Sequence, residues 1–165
     1  MDEQNIRIAI DRHWAASAAG DQVAEHEIYH DDAVCEYPQS GEVIRGRRNL
    51  QALRSHHPGR PSGFEVRRIV GEGNFWVTEY VITYEGKRAY TVSIMEFRDG
   101  KVSHETQYFA DPFNAPGWRA QWVEAAAVDV MALQDGEQHG PAFERIALLH
   151  DDGGVQQRGS REPRH

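Results

Sequence analysis

The chain has a single cysteine, Cys35, among 165 residues, so no internal disulfide can form. It has no apolar run approaching the ~20 residues needed to span a bilayer. Its first residues, MDEQNIRIAIDRH, lack the basic stretch followed by an apolar one that marks a secretory signal. Positive charge is scarce as well: 18 Lys and Arg stand against 26 Asp and Glu, a formal net charge of −8. That balance excludes nucleic acid and anionic membrane as partners, because both require clustered cations. These absences together predict a cytoplasmic protein.

What remains is globular. The chain is 39% hydrophobic and 27% charged, and it is long enough for one domain with a real core. Ile6, Ile10 and Trp14 recur at four-residue spacing, with Ala9, His13 and Ala16 alongside, which predicts a helix over 5–19. Gly20 can end it, and Asp21 can cap a second helix over 21–29. Asp31-Asp32 then begin a turn, AVCEY (33–37) reads as a short strand stopped by Pro38, and Gly41 and Gly46 punctuate a loop. A third helix, 46–56, carries Leu50 and Leu53, and HHPGRPSG (56–63) reads as a loop.

From residue 64 the period becomes two. Strands are predicted at 64–71, 75–85, 88–98 and 101–110, joined by GEGN, EGK and Asp99-Gly100. Three hairpins in series make an antiparallel meander. Helices followed by strands define an α+β fold, with the helices on one face of the sheet. Trp118, Trp122, Ala126 and Val130 predict a helix over 118–134, and AFERIALLH (142–150) a short one. Residues 151–165 have one aliphatic side chain and no aromatic, the composition of a disordered tail. The domain is accordingly set at 1–135, and 136–165 is a largely disordered extension.

Residues 11–50, DRHWAASAAGDQVAEHEIYHDDAVCEYPQSGEVIRGRRNL, and 94–109, IMEFRDGKVSHETQYF, resemble the nuclear transport factor 2-like superfamily, within it the SnoaL-like polyketide cyclase and ketosteroid isomerase-like group. The resemblance implies a cone: a curved antiparallel sheet wrapped by the N-terminal helices around one pocket. It implies binding of a small hydrophobic metabolite without cofactor, with isomerisation, cyclisation, dehydration or water addition as compatible reactions. The competing class is a non-catalytic ligand-binding or interaction module. Ketosteroid isomerases use a tyrosine on the first helix, a carboxylate base just before a proline, and a protonated aspartic acid on the third long strand. The corresponding positions here hold His13, Tyr37 and Ser93, which argues against steroid isomerisation.

Strand alternation then sorts the side chains. The resemblance sets Ser93, Glu105 and Gln107 on the pocket face, with Phe109 beside them and Trp76 and Tyr80 on the preceding strand. Glu105, His13 and Tyr37 are the catalytic candidates: a carboxyl whose burial lifts its pKa, a proton relay, and a hydrogen-bond donor. Trp76, Tyr80, Ser93, Gln107 and Phe109 are candidate substrate contacts. The plainer alternative is that Glu105 pairs with a cation or hydroxyl and the cluster satisfies itself. His26-Glu27-Ile28-Tyr29-His30 matches the letters of a zinc motif. At the end of a short helix, with no third ligand at a recognised spacing, it reads instead as a solvated helix face, and no metal is expected. Cys35 reads as a small core residue. Tyr90, Val92 and Ile94 point outward, which suggests a homodimer through that face.

Overall fold

Asp2 accepts the amide of Gln4 at 2.9 Å and opens α1 (Glu3–Ala19), whose Ile6, Ile10, His13, Trp14 and Ala16 are buried. Gly20 closes it at φ 71°, a left-handed conformation that glycine adopts without strain. Asp21 caps α2 (Gln22–His26) through the amides of Val23 and Ala24. The computed structural model describes residues 2–124. The helix predicted at 142–150, the tail and most of the 118–134 helix lie outside them. Within them, Gly117–Trp122 forms a short 3₁₀ turn.

Six strands form one sheet: β1 (Tyr29–Tyr37), β2 (Glu42–Arg45), β3 (Pro61–Glu72), β4 (Phe75–Tyr84), β5 (Lys87–Arg98) and β6 (Lys101–Ala110), in the order β2-β1-β6-β5-β4-β3. The meander β3–β6 is antiparallel throughout, as its turn residues require. Glu85-Gly86 and Asp99-Gly100 hold φ values of 50° and 80°, and 50° and 78°, the doubly left-handed pairs of tight hairpins. A third helix, α3 (Arg47–Ser55), follows β2. Together these elements make the expected α+β architecture with a curved, unclosed sheet.

Several expectations need correction. The sheet is mixed rather than antiparallel, because β1 runs parallel to β6, with Cys35 opposite Glu105. The second helix stops at His26 instead of reaching 29, and β1 begins at Tyr29 rather than 33. Asp31-Asp32 therefore lie in a strand, not a turn. Arg47 and Arg98 hold their carboxylates, which offsets the poor strand propensity of aspartate. The expected 38–46 loop contains β2, which pairs with β1 from Val34↔Arg45 to Tyr37↔Glu42. Likewise β3 begins at Pro61, inside the expected loop, at an edge where a missing N–H is harmless. The core gathers Ile6, Ile10, Trp14, Tyr29, Leu50, Tyr80, Met95 and Phe97 between the helices and the concave side of the sheet.

Candidate functional site

Glu105 on β6 is fully buried and sits at the centre of a polar hub. Its Oε1 accepts from Ser93 Oγ at 2.6 Å and Gln107 Nε2 at 2.9 Å. Its Oε2 accepts from Tyr29 OH at 2.7 Å and Arg54 Nη2 at 3.1 Å, with Cys35 Sγ at 3.6 Å. Gln107 also reaches Tyr80 OH at 3.3 Å. The strand pairings set this up: Ser93 lies opposite Gln107, Met95 opposite Glu105, and Cys35 opposite Glu105 from the other side.

Arg54 turns the hub into a charge cluster. From α3 its Nη1 donates to Tyr29 OH at 3.1 Å and to Glu25 Oε1 at 3.4 Å, so one guanidinium spans two carboxylates. Burial alone would raise the Glu105 carboxyl. Arg54, then the Ser93 hydroxyl, His13 and Tyr29, hold it below the ordinary carboxylate value instead. The expected upward shift is therefore reversed: in the resting site Glu105 is an ionised acceptor. Tyr29 and Tyr80 are pushed up by burial and stay phenols, and burial raises the Cys35 thiol, which leaves it unreactive.

The remaining candidates fall into two groups. Ser93, Gln107 and Tyr80 belong to the hub. His13 lies beside it, its ring 5.6 Å from that of Tyr29, but Nδ1 donates to the Glu25 carbonyl at 2.6 Å rather than to Glu105. Burial first, and Arg54 second, lower its pKa to about 4. Tyr37, expected at the rim, is buried at 3% exposure, and the half-buried Phe109 packs on it at 5.5 Å. Trp76 stands apart, its Nε1 on the Gly73 carbonyl at 3.1 Å and its backbone against Gly71, where a Cβ would come within 2.7 Å of Trp76 Cα. Two open hollows are present: one of about 210 Å³ along β4–β6 beside Gln39, whose lining includes the candidates Tyr80 and Phe109 with Thr91 and Tyr108, and one of about 620 Å³ beside the β3–β4 hairpin. Neither is lined by Glu105, Ser93, Gln107, His13 or Tyr37.

The zinc-like letters come apart in three dimensions. His26 ends α2 with Nδ1 on the Gln22 carbonyl, whereas His30 lies in β1 against the Arg98 carbonyl. Among the described residues no group of His, Cys, Asp or Glu is placed to hold a metal ion. Sequence reasoning missed Arg54, Tyr29 and Glu25. A signal for Arg54 existed: it follows the buried Leu50 by four residues and shares its helical face.

An α+β cone of helices over a curved sheet, with a polar hub inside, defines the nuclear transport factor 2-like class. Within that class the chain belongs to the SnoaL-like domain family, whose model matches residues 10–105. It is similar to an NTF-2 like protein of unknown function from Burkholderia xenovorans LB400. That structure is 72% identical, with TM-score 0.71, over 76% of this chain and 98% of that one. A putative ketosteroid isomerase from Kribbella flavida matches at 21% identity and TM-score 0.70, over 76% of this chain and 93% of that one, a likeness of fold. An LEH-like epoxide hydrolase from M. tuberculosis matches at 26% identity and TM-score 0.54, over 65% of this chain and 84% of that one. No curated protein matches the chain.

Proposed function

We propose that the protein binds a small, largely apolar molecule on the concave side of its sheet, in front of the Glu105–Arg54 hub and without a cofactor. One observation carries this reading: the interior keeps a buried charged hub, and polar atoms beside it are left without partners among the described residues. A buried ion pair adds little stability over apolar packing, and a network with unpaired members is worse than an apolar core. The chain nevertheless keeps Glu105, Arg54 and Gln107 inside, with His13 Nε2 and Thr91 Oγ1 buried and unpartnered among the described residues. Half-buried Phe64, Tyr84 and Phe109 supply apolar contact on the same side, the mixture typical of small-molecule sites. Glu105 acts as a positioning residue that fixes Tyr29, Arg54 and Gln107. The test is native mass spectrometry of the purified protein together with thermal shifts against small apolar metabolites. A co-purified molecule or a saturable stabilisation is expected. An unliganded mass with no stabilisation by any compound would sink the reading.

Water addition is a second reading, favoured by the Glu25–Arg54–Glu105 bridge. Among the described residues Arg54 is the one hydrogen-bonding partner of the Glu25 side chain, at 3.4 Å. Glu25 thus keeps lone pairs with which to take a proton from water, as Glu105 does not. The epoxide hydrolase among the similar structures supports the same chemistry. Styrene oxide in ¹⁸O-labelled water should yield labelled diol with the parent protein and none with Glu25→Gln. Unlabelled product, or an undiminished rate in the variant, would exclude this reading.

We also infer a homodimer through the outer face of the sheet, where Tyr90, Val92 and Ile94 are half-buried and Tyr108 is 43% exposed. A single buried thiol suits a cytoplasmic setting. No helix among the described residues is long and apolar enough to cross a membrane.

A further inference from the structure

Beyond β6 the chain continues as an arm, DPFNAPGWRAQWVE (111–124), that leaves the sheet at Ala110. It carries the three most exposed large hydrophobic side chains among the described residues: Phe113, Trp118 and Trp122 are 76%, 74% and 69% exposed. Scattered apolar residues on a surface are ordinary, but three aromatics in one short arm form a patch of the kind that marks an interaction site. The arm is also shaped in advance. Pro112 and Pro116 restrict its backbone, Gly117–Trp122 winds as a 3₁₀ turn, and the Arg119 guanidinium lies 5.9 Å from the centre of the Phe113 ring.

The hollow of about 210 Å³ along β4–β6 is the counterpart of this arm. Its lining includes Val81, Tyr90, Val92, Tyr108 and Ala110, which pair across the three strands on the outward-facing side. Cavities for drug-sized ligands run from about 300 to 1,000 Å³, so this one suits a single side chain better than a metabolite. Among the described residues its one charged lining residue is Glu79, and the one cation of the arm is Arg119. Such an exposed pair orients a contact more than it strengthens it. Within one copy the two features stay unmatched: Trp118 and Trp122 remain exposed while the hollow stays open. From Ala110 to Trp118 the chain reaches at most about 27 Å, enough to cross a two-fold axis at the sheet face. An anionic membrane is a poor alternative, because it requires clustered cations beside the aromatics and Arg119 stands against Asp111 and Glu124.

We propose that each arm crosses to a second copy and seats an indole in that copy's hollow, so that two arms are exchanged about one two-fold axis. This rests on the homodimer inferred above and identifies the segment that locks it. A two-fold contact is self-complementary, which requires one arm and one hollow on every copy, and the chain has both. Aromatic side chains bury about 150–250 Å² each, so two arms add on the order of 1,000 Å² to the contact between sheets, the scale of a specific interface.

The test cross-links the full chain, using two co-expressed variants that keep both indoles. One carries Ala120→Cys on the arm and the other Thr106→Cys, which lies opposite Ile94 on the outer side of β6. Native Cys35 is buried and its thiol is raised by burial, so it stays silent. A short bismaleimide should join arm to sheet between unlike chains, several-fold more than within either variant alone. Trp14 and Trp76 are already buried, so acrylamide quenching of the parent reports on the arm, and it should fall as concentration rises through the dimer range seen by sedimentation. Trp118→Ala combined with Trp122→Ala should raise the dimer dissociation constant at least about tenfold. A dimer whose indoles stay quenchable and that gives no mixed cross-link overturns the exchange while leaving the sheet-face dimer standing. A cross-link formed at high dilution within one chain carrying both cysteines overturns it as well, because the arm then serves its own copy. A monomer at every concentration fails the dimer reading and takes this inference with it. Cross-linking and quenching leave both indoles in place, so the outcome stands even if the doubly substituted chain does not fold.

Discussion

Neither face of β5 and β6 is simply apolar or simply polar, and the two mix these characters differently. The face turned into the cone holds the polar Thr91, Ser93, Glu105 and Gln107 beside the apolar Ala89, Met95 and Phe97, all buried. The outer face holds Tyr90, Val92 and Ile94, half-buried, and the exposed Tyr108. A half-solvated antiparallel sheet ordinarily reads apolar-in and polar-out. The difference teaches that a charge cluster is built into an otherwise apolar interior, while apolar side chains stay half-buried on the outer face. Alternation reports that a strand has two faces. It does not report which one is wet.

The interior side of this comparison breaks most severely at Arg54. Replacing it with Met leaves Glu105 and Glu25 without their cation, and a loss of about 3–5 kcal/mol at pH 7 is expected in urea denaturation. The pH dependence should also change sign. Without the guanidinium, burial raises the Glu105 carboxyl above its unfolded value, so stability is present at low pH and lost as pH rises through the raised pKa. A variant within about 1 kcal/mol of the parent would mean that the inner face is not held by charge.

Glu105→Gln should cost slightly less, about 3 kcal/mol, because Arg54 keeps Glu25 as a counter-ion. The amide also retains the Tyr29 donor on one side. A large fall in melting temperature assigns Glu105 to holding the cluster. A neutral or upward shift would return it to an acid–base role.

Acid sharpens the comparison next. His13 and His26 both have pKa values lowered to about 4, by burial first and by Arg54 second. Between that value and the ordinary 6.5 the unfolded chain binds more protons than the folded one, so stability rises with pH. The contribution is complete above about 6.5 and is lost as pH falls towards 4. From pH 7 to pH 5 the expected loss is about 2 kcal/mol for each ring, and His26→Asn should roughly halve the slope of denaturation midpoint against pH. An unchanged slope would remove His26 from the account.

The outer face responds least in stability and most in assembly. Ile94→Lys, on the half-buried outer side of β5, should shift the sedimentation profile from dimer to monomer with the far-ultraviolet spectrum preserved. Dimer retained in the variant would place any interface elsewhere.

Much of the fold was legible in the chain because its signals are local. The four-residue spacing of Ile6, Ile10 and Trp14 and the pairs Glu85-Gly86 and Asp99-Gly100 act within a few residues, and the helix and turns stand where they were expected. Ser93, Glu105 and Gln107 share a face for the same reason: the side-chain period of a strand is two. The departures are all long-range. Glu42–Arg45, only four residues long, and Tyr29–Asp32, which carries two aspartates, pair because a neighbouring strand is already there. The parallel alignment of β1 with β6 depends on the path of the intervening helix and meander, and it alone brings Tyr29 and Cys35 to Glu105.

The sequence by itself determined the class of fold, the meander and the composition of each strand face, since periodicity and turn chemistry are properties of adjacent residues. Only the tertiary structure decided that Glu105 is an ionised, paired carboxylate. Its state is set by Arg54, 51 positions away in the chain, and electrostatic interaction depends on distance through space rather than along the backbone.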